Sequence, residues 1–274
     1  MNPDELRRQV SAREWYHTIE LAPGVRTPGW FDTAAVAARL PWPSLAGLRC
    51  LDVGTFDGFW AFEMERRGAS EVVAVDVPDP AAWDWPAGSN DPGTEILARR
   101  KGHGEGFLIA RDALGSKVER RDLSVYELSP DTVGRFDFVY LGSLLVHLRD
   151  PVGALGAVRS VCTGTVMVVD GIDAALSAFT RRPAAWLDGQ GRPWWWKANA
   201  AGIVRMVEAA GLELIERPRR VWMKAGEAQT RPSAAGAVRY LRSAAGREAL
   251  LWLTAGDPHI CVLARPRAGA ASAS

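Results

Sequence analysis

The stretch from Arg49 to Asp76 constrains the fold more than any other. Arg49-Cys50-Leu51-Asp52-Val53 is a short apolar run that enters the turn Gly54-Thr55-Phe56-Asp57-Gly58. From Phe59 to Arg67 the apolar residues Phe59, Trp60, Phe62 and Met64 recur at helical spacing, and Gly68 suits the helix end. Glu71-Val72-Val73-Ala74-Val75-Asp76 is β-branched and closes on an acid. Strand, turn, helix and strand make a βαβ unit, whose strands lie parallel with a right-handed crossover.

The alternation continues downstream. A Pro/Gly/Trp-rich loop over 78–93 precedes helical material over 94–114. Val118 to Asp122 reads as a third strand, Phe136 to Leu141 as a fourth and Thr165 to Asp170 as a fifth, with a helix starting near Pro151. A helix over 198–210 ends at Gly211, a strand follows over 212–223 with Pro218 confining part of it to an edge, and a variable helical stretch leads to a last strand over 259–264. The expectation is an α/β fold, doubly wound around a mostly parallel seven-stranded sheet, with its domain at 49–267. Residues 1–48 show no alternating strand pattern and read as an N-terminal extension or lid. Residues 171–197 are an insertion after strand five, and 268–274 a flexible tail.

Composition narrows the function. Among 274 residues, 33 Lys and Arg face 32 Asp and Glu, a net of +1, which argues against a surface built to hold phosphate backbones. No 18-residue apolar run and no leader pattern is present, so the expectation is a cytoplasmic protein without a membrane span. Cys50, Cys162 and Cys261 lie far apart in apolar surroundings and read as buried thiols, with neither disulfide nor metal site expected. Twelve Trp residues are unusual, with Trp83/Trp85 and Trp194-Trp195-Trp196 as clusters. Such clusters serve as packing or as the wall of an apolar or planar ligand.

A glycine turn lets backbone N–H groups approach a ligand at the start of the next helix. An acid ending the second strand, here Asp76, accepts hydrogen bonds from a ribose diol. Together they predict a nucleoside cofactor. The spacing Asp52, Gly54, Phe56, Gly58 departs from the dinucleotide G-x-G-x-x-G pattern, because Phe56 stands where a pyrophosphate would approach and Asp57 adds negative charge. A cationic, phosphate-free ligand such as S-adenosylmethionine suits those acids.

These motifs resemble class I S-adenosylmethionine-dependent methyltransferases, from Cys50-Leu51-Asp52-Val53-Gly54 through Val75-Asp76, Arg121-Asp122-Leu123 and Phe136-Asp137-Phe138-Val139 to the final strand. Within that class, Trp15-Tyr16-His17-Thr18, Thr27-Pro28-Gly29-Trp30 and Leu144-Leu145-Val146-His147-Leu148-Arg149-Asp150-Pro151 resemble the tRNA wobble-uridine carboxymethyltransferase-like group. The resemblance implies that Gly54, Thr55, Phe56, Asp57 and Gly58 wrap the methionine end, with Asp52 beside them. It implies that Asp76, with Val77, holds the ribose, that Asp122 and Leu123 border the adenine, and that Leu141, Gly142 and Ser143 lie beneath the sulfonium. Trp30 matches an aromatic near the cofactor. The group's carboxylated cofactor is held by a Tyr where Val146 stands and by basic residues where His17 and His259 stand. That set is broken here, so the expected cofactor is ordinary S-adenosylmethionine, leaving S-adenosylhomocysteine.

Plainer readings compete. Asp52 before G-x-F-x-G has turn or helix capping as its lesser reading, and His147 can be a capping or packing residue in place of a catalytic base. Asp170 either orients a substrate as the reserve catalytic group or caps a loop. Arg99-Arg100-Lys101 and Arg217-Pro218-Arg219-Arg220 read as solvated faces. The leading expectation is a methyltransferase acting on oxygen or nitrogen of a small-molecule acceptor. The alternatives are a tRNA-modifying enzyme and a non-catalytic nucleotide-binding module.

Overall fold

The computed structural model describes residues 2–87, 92–189, 193–229, 250 and 254–268. Helix α1 (Pro3–Ser11) begins on Asn2, whose side chain accepts the Asp4 N–H at 3.0 Å. Four short strands follow: β1 (Trp15–His17), β2 (Glu20–Ala22), β3 (Val25–Arg26) and β4 (Gly29–Asp32), then the one-turn α2 (Ala34–Ala37). The βαβ unit is β5 (Arg49–Val53), α3 (Phe59–Arg66) and β6 (Glu71–Asp76). The helical stretch expected over 94–114 is two helices, α4 (Pro92–Lys101) and α5 (Glu105–Leu114). It breaks at Gly102-His103-Gly104, where φ is positive at all three residues.

β7 (Glu119–Asp122), α6 (Pro130–Val133), β8 (Phe136–Gly142), α7 (Pro151–Val161) and β9 (Cys162–Gly171) complete the parallel part. The insertion holds α8 (Ala174–Phe179) and the antiparallel pair β10 (Ala185–Leu187) and β11 (Trp196–Ala198). After α9 (Ala200–Ala209), the strand expected over 212–223 is two pieces, β12 (Leu212–Leu214) and β13 (Arg219–Ala225). Both pair antiparallel with β14 (Asp257–Pro266), and Pro218, which lacks an N–H, falls in the interruption between them. The expected variable helical stretch lies largely outside the described residues, as does the tail beyond Ala268.

The sheet runs β1-β4-β13-β14-β9-β8-β5-β6-β7, with β12 also on β14. Pairs among β5 to β9 are parallel, and β14 enters antiparallel beside β9. The N-terminal stretch departs from the sequence expectation. It supplies two strands that prolong the sheet, β4 antiparallel on the end of β13 at Lys224 and Ala225 and β1 parallel on β4, so β13 is covered at its far end while the part after Pro218 pairs with β14 alone. Strand alternation sends Cys50, Phe138, Tyr140, Met167 and Cys261 to one face, against α3, α5 and the N-terminal strands. Leu51, Val139, Leu141, Val168 and Val262 go to the other face, under α7 and α9. The three cysteines are buried and free.

The turn after β5 is held by acids turned inward. Asp57 Oδ2 accepts the N–H groups of Tyr16 at 2.7 Å and His17 at 2.9 Å, so it anchors β1. Burial nevertheless pushes its carboxyl up to about 6. Asp52 is 1% exposed with Oδ2 lacking a hydrogen-bond partner, and burial pushes it up to about 7. At Gly58, with φ of 90°, an added Cβ would meet Phe62 at 2.5 Å, so only glycine closes this turn.

Because the folded state binds these protons more tightly than the unfolded chain, each acid's contribution to stability falls as pH rises through its native pKa. His17, pushed by burial to about 3, acts in the opposite sense below the ordinary histidine range. A difference between variants isolates one group. Asp52→Asn should be more stable than wild type at pH 8 by about 1–3 kcal/mol, and the advantage should shrink as pH falls below about 7 and vanish below about pH 4. Denaturant melts across that range would measure it. An advantage independent of pH would refute the assignment to Asp52 ionisation.

Candidate functional site

A cavity of about 610 Å³ opens at the carboxyl ends of β5, β6 and β8. This is the crevice where open α/β sheets take ligands. Of the residues expected from sequence, Gly54, Phe56, Asp76, Val77, Leu123, Gly142, Ser143 and His147 line it together. Phe56 sits at φ 50°, unusual for a bulky residue, with its ring 4.5 Å from that of Tyr16.

Asp76 organises the inner end. Its Oδ2 accepts the Phe56 N–H at 2.6 Å, and its Oδ1 accepts its neighbour Val77 N–H at 2.8 Å. Lys101 Nζ, from the last residue of α4, pairs with Oδ2 and lies 4.5 Å from the centre of the Phe56 ring. Burial pushes the Lys101 ammonium down, and Asp76 opposes the shift. The basic run at 99–101 is thus not a solvated face as a whole. Lys101 is 3% exposed, Arg100 stacks 4.0 Å over the Trp30 ring, and Arg99 pairs with Glu14 at 3.1 Å.

Other expected residues stand outside the cavity lining. Asp52, Thr55, Asp57 and Gly58 build the turn from beneath, and Leu141 is fully buried in the sheet. Trp30 lies under Arg100. Asp122 points to solvent and pairs with Arg120 at 3.2 Å, so it does not face the cavity. Asp170 is fully buried, and its Oδ2 accepts the N–H groups of Leu144 at 2.8 Å and Leu145 at 2.9 Å. That bonding fits loop capping, and the reserve catalytic role is corrected accordingly.

Residues 145–147 form a 3₁₀ turn that places His147 on the cavity wall. Its Nδ1 lies 2.6 Å from the Pro193 carbonyl. A carbonyl only accepts, so Nδ1 carries the hydrogen and Nε2 of the neutral ring keeps its lone pair. Burial lowers its pKa. Ser143, at φ 51°, bonds His259 Nε2 at 2.9 Å.

The cover comes from the loop after β6, for which sequence gave only the tryptophans. Asp84 accepts from the Arg149 N–H at 2.8 Å, from Arg149 Nη2 at 2.7 Å and from the Tyr126 hydroxyl at 2.7 Å. Burial would raise its pKa, but these donors hold it below the usual carboxylate range. Trp83 donates to the Val77 carbonyl at 2.8 Å, and Trp195 to the Asp84 carbonyl at 2.6 Å. Trp195 and Trp196 therefore fasten the insertion to the loops beside the cavity, while Trp60, Trp83 and Trp85 supply the indoles of the wall. Lys101, Asp84, Tyr126 and Arg149 were not read as cavity residues from sequence, because their contacts with Asp76 and with one another join stretches far apart in the chain. Among the described residues, no group of three His, Cys, Asp or Glu is placed to hold a metal ion.

Comparison with known proteins agrees with this geometry. Ubiquinone biosynthesis O-methyltransferase from Acinetobacter baylyi is 27% identical over 193 residues, covering 68% of this chain and 66% of that protein. Among solved structures, the N-terminal domain of EvdMO1, determined in the presence of SAH and D-fucose, aligns with a TM-score of 0.56 at 18% identity, covering 97% of this chain and 98% of that one. The [4+2]-cyclase SpnF aligns with a TM-score of 0.50 at 19% identity, covering 86% and 80%. At such identities the likeness is one of fold, and a cyclase among the neighbours underlines that fold alone does not fix chemistry. The family described as Methyltransferase domain matches residues 30–217, more than half of the sequence, and the chain belongs to that family.

Proposed function

We propose that this chain transfers a methyl group from S-adenosylmethionine to an oxygen or nitrogen of a small-molecule acceptor. The observation that carries the reading is Asp76, a carboxylate at the end of β6 beside the Gly54–Gly58 turn, lining a cavity at the sheet's carboxyl edge. A carboxylate has about four acceptor positions. Phe56, Val77 and Lys101 use three, so a ribose diol with two donors draws Asp76 partly away from Lys101. Gly54, Phe56, Leu123, Gly142 and Ser143 supply the remaining contacts for nucleoside and methionine ends. Bound there, the cofactor supplies a methyl group on a cationic sulfur. The protein's part is alignment of acceptor and methyl, with water excluded by the Trp83/Trp85 cover. His147 Nε2 accepts a hydrogen bond from a second polar group of the acceptor, beside the reacting one, and orients it.

A small acceptor is favoured over tRNA by how the basic residues are spent. Arg99, Arg100 and Lys101 are engaged by Glu14, Trp30 and Asp76, and Arg219 pairs with Glu216 at 2.8 Å. From these runs Arg217 and Arg220 stay exposed, too few to follow a phosphate backbone through several contacts. The wall of Trp60, Trp83 and Trp85, with Tyr126 and Arg149 beside it, suits a ring bearing a few hydroxyls. The first acceptors to try are D-fucose and 3,4-dihydroxybenzoate, with methyl-labelled S-adenosylmethionine and mass analysis of the products. Label in unmodified tRNA, with salt-sensitive binding, would overturn the small-molecule reading.

Calorimetry with S-adenosylhomocysteine tests the nucleoside contact. Asp76→Asn should weaken binding by about 1.5–3 kcal/mol, roughly tenfold to a hundredfold. Unchanged affinity in a folded variant would remove Asp76 from the site. The carboxylated form of S-adenosylmethionine should compete poorly, weaker by about tenfold or more, because among the described residues lining the cavity the cations Lys101 and Arg149 are already paired with Asp76 and Asp84. His17 is neutral, with its pKa pushed to about 3, and Lys101 is already paired. Preference for the carboxylated form in a competition titration would reverse this.

A further inference from the structure

Ser143 and His259 share a hydrogen bond that the reading above does not use. Ser143 follows β8 in a left-handed conformation, its N–H bonded to the Val169 carbonyl at 2.9 Å, and it lines the cavity beside Gly142. His259, 2% exposed, lies on β14 between Gly171 of β9 and Val221 of β13. Its Nδ1 is 3.1 Å from the Asp257 carbonyl, which can only accept. Nδ1 therefore carries the hydrogen, Nε2 keeps the lone pair, and Ser143 must be the donor across 2.9 Å. With its hydrogen committed inward, Ser143 Oγ offers its other lone pair to the cavity.

Two acids stand near the His259 ring. Asp257 Oδ2 is 3.7 Å from Nδ1, and the buried Asp170 on β9 is close enough to interact with the ring electrostatically. The other titratable groups facing these acids are the Tyr16 phenol, on which Asp257, Asp170, Arg100 and Asp57 all act, and the buried Tyr140 phenol, on which Asp170 acts. His147 differs, because only the Pro193 carbonyl opposes the burial that disfavours its charged form.

We propose that Ser143 and His259 form the proton exit for methyl transfer to a hydroxyl acceptor, an inference that rests on the methyltransferase reading above. The acceptor hydroxyl donates to Ser143 Oγ. As the acceptor oxygen bonds the methyl carbon, the carbon–sulfur bond breaks and its electron pair stays on sulfur. The acceptor's proton passes to Ser143 Oγ while Ser143's own proton passes to His259 Nε2. The resulting imidazolium is held by the Asp257 carbonyl with Asp257 and Asp170 nearby, and it releases its proton to solvent after product leaves. The proton sink is then His259, with Ser143 as the group that touches the acceptor.

Nitrogen NMR of the histidine rings, with and without S-adenosylhomocysteine, reads the tautomer directly. The neutral His259 ring should hold Nε2 unprotonated, and Ser143→Ala should shift that resonance. A neutral ring protonated at Nε2 would overturn the proposal, whereas failure of S-adenosylhomocysteine to bind would overturn the cofactor reading instead. With D-fucose as acceptor, Ser143→Ala and His259→Gln should each lower kcat by about 100-fold or more at pH 7. The double variant should be no worse than either single one, and the loss should shrink as pH approaches 9. S-adenosylhomocysteine affinity should stay within about twofold of wild type in His259→Gln, whose side chain lies behind Ser143 and outside the cavity lining. Equal losses at pH 6 and pH 9 would mark a structural role only and sink the relay. Should D-fucose take no label, the ring tautomer decides alone.

Discussion

Buried carboxylates that accept backbone N–H groups hold the loops at the carboxyl edge of the sheet. Parallel strands end there with unpaired donors, and each loop needs an acceptor. Asp57 serves β1, Asp76 the turn after β5, Asp170 the loop after β8, and Asp84 the backbone of Arg149. Each bond is charge-assisted, stronger than a neutral one, and removal of any of these acids would leave donors without partners. The cavity is the space these anchored loops leave between them. Its shape depends on polar satisfaction at the rim as much as on the apolar core beneath.

That dependence explains what could be read from sequence. The parallel half was legible because its strands, such as Val72 to Val75, are β-branched runs whose helices carry the expected period. The glycine turn and Asp76 were legible because residue type and position coincide. β1 to β4 were not, since strands of two to four residues have no period of their own, and β4 exists because β13 is there to pair with it. The burial of Lys101 was hidden for a similar reason. A run of three basic residues looks solvated until α4 folds over Asp76 and directs its last side chain inward.

Tryptophan shows the same division between composition and role. Twelve indoles announce large apolar surfaces without saying which side of a loop they cover. The N–H of each ring decides several cases. Trp83 donates to Val77, Trp195 to Asp84 and Trp196 to Arg149, so all three fix loops, but only Trp83 also borders the cavity. An indole is therefore a rigid spacer with one polar point of attachment. Clusters at 83–85 and 194–196 together tie the insertion to the cover.

His147 and His259 carry this logic into the chemistry. Each donates Nδ1–H to a backbone carbonyl, so each offers Nε2. They differ in what surrounds the charge that would form. Burial lowers the pKa of His147, opposed only by the Pro193 carbonyl, whereas His259 has the Asp257 carboxylate 3.7 Å from Nδ1. His147 stands on a wall fastened to the insertion through Pro193, which suits it to positioning a neutral hydroxyl. His259 lies behind Ser143, between a sheet partner bearing Asp170 and its own strand bearing Asp257. Residue type alone put the proton sink at the histidine nearest a motif. In the relay proposed above, hydrogen-bond direction and the placement of acids move it two strands over, from the end of β8 to β14, to a residue that only sheet register brings to the site.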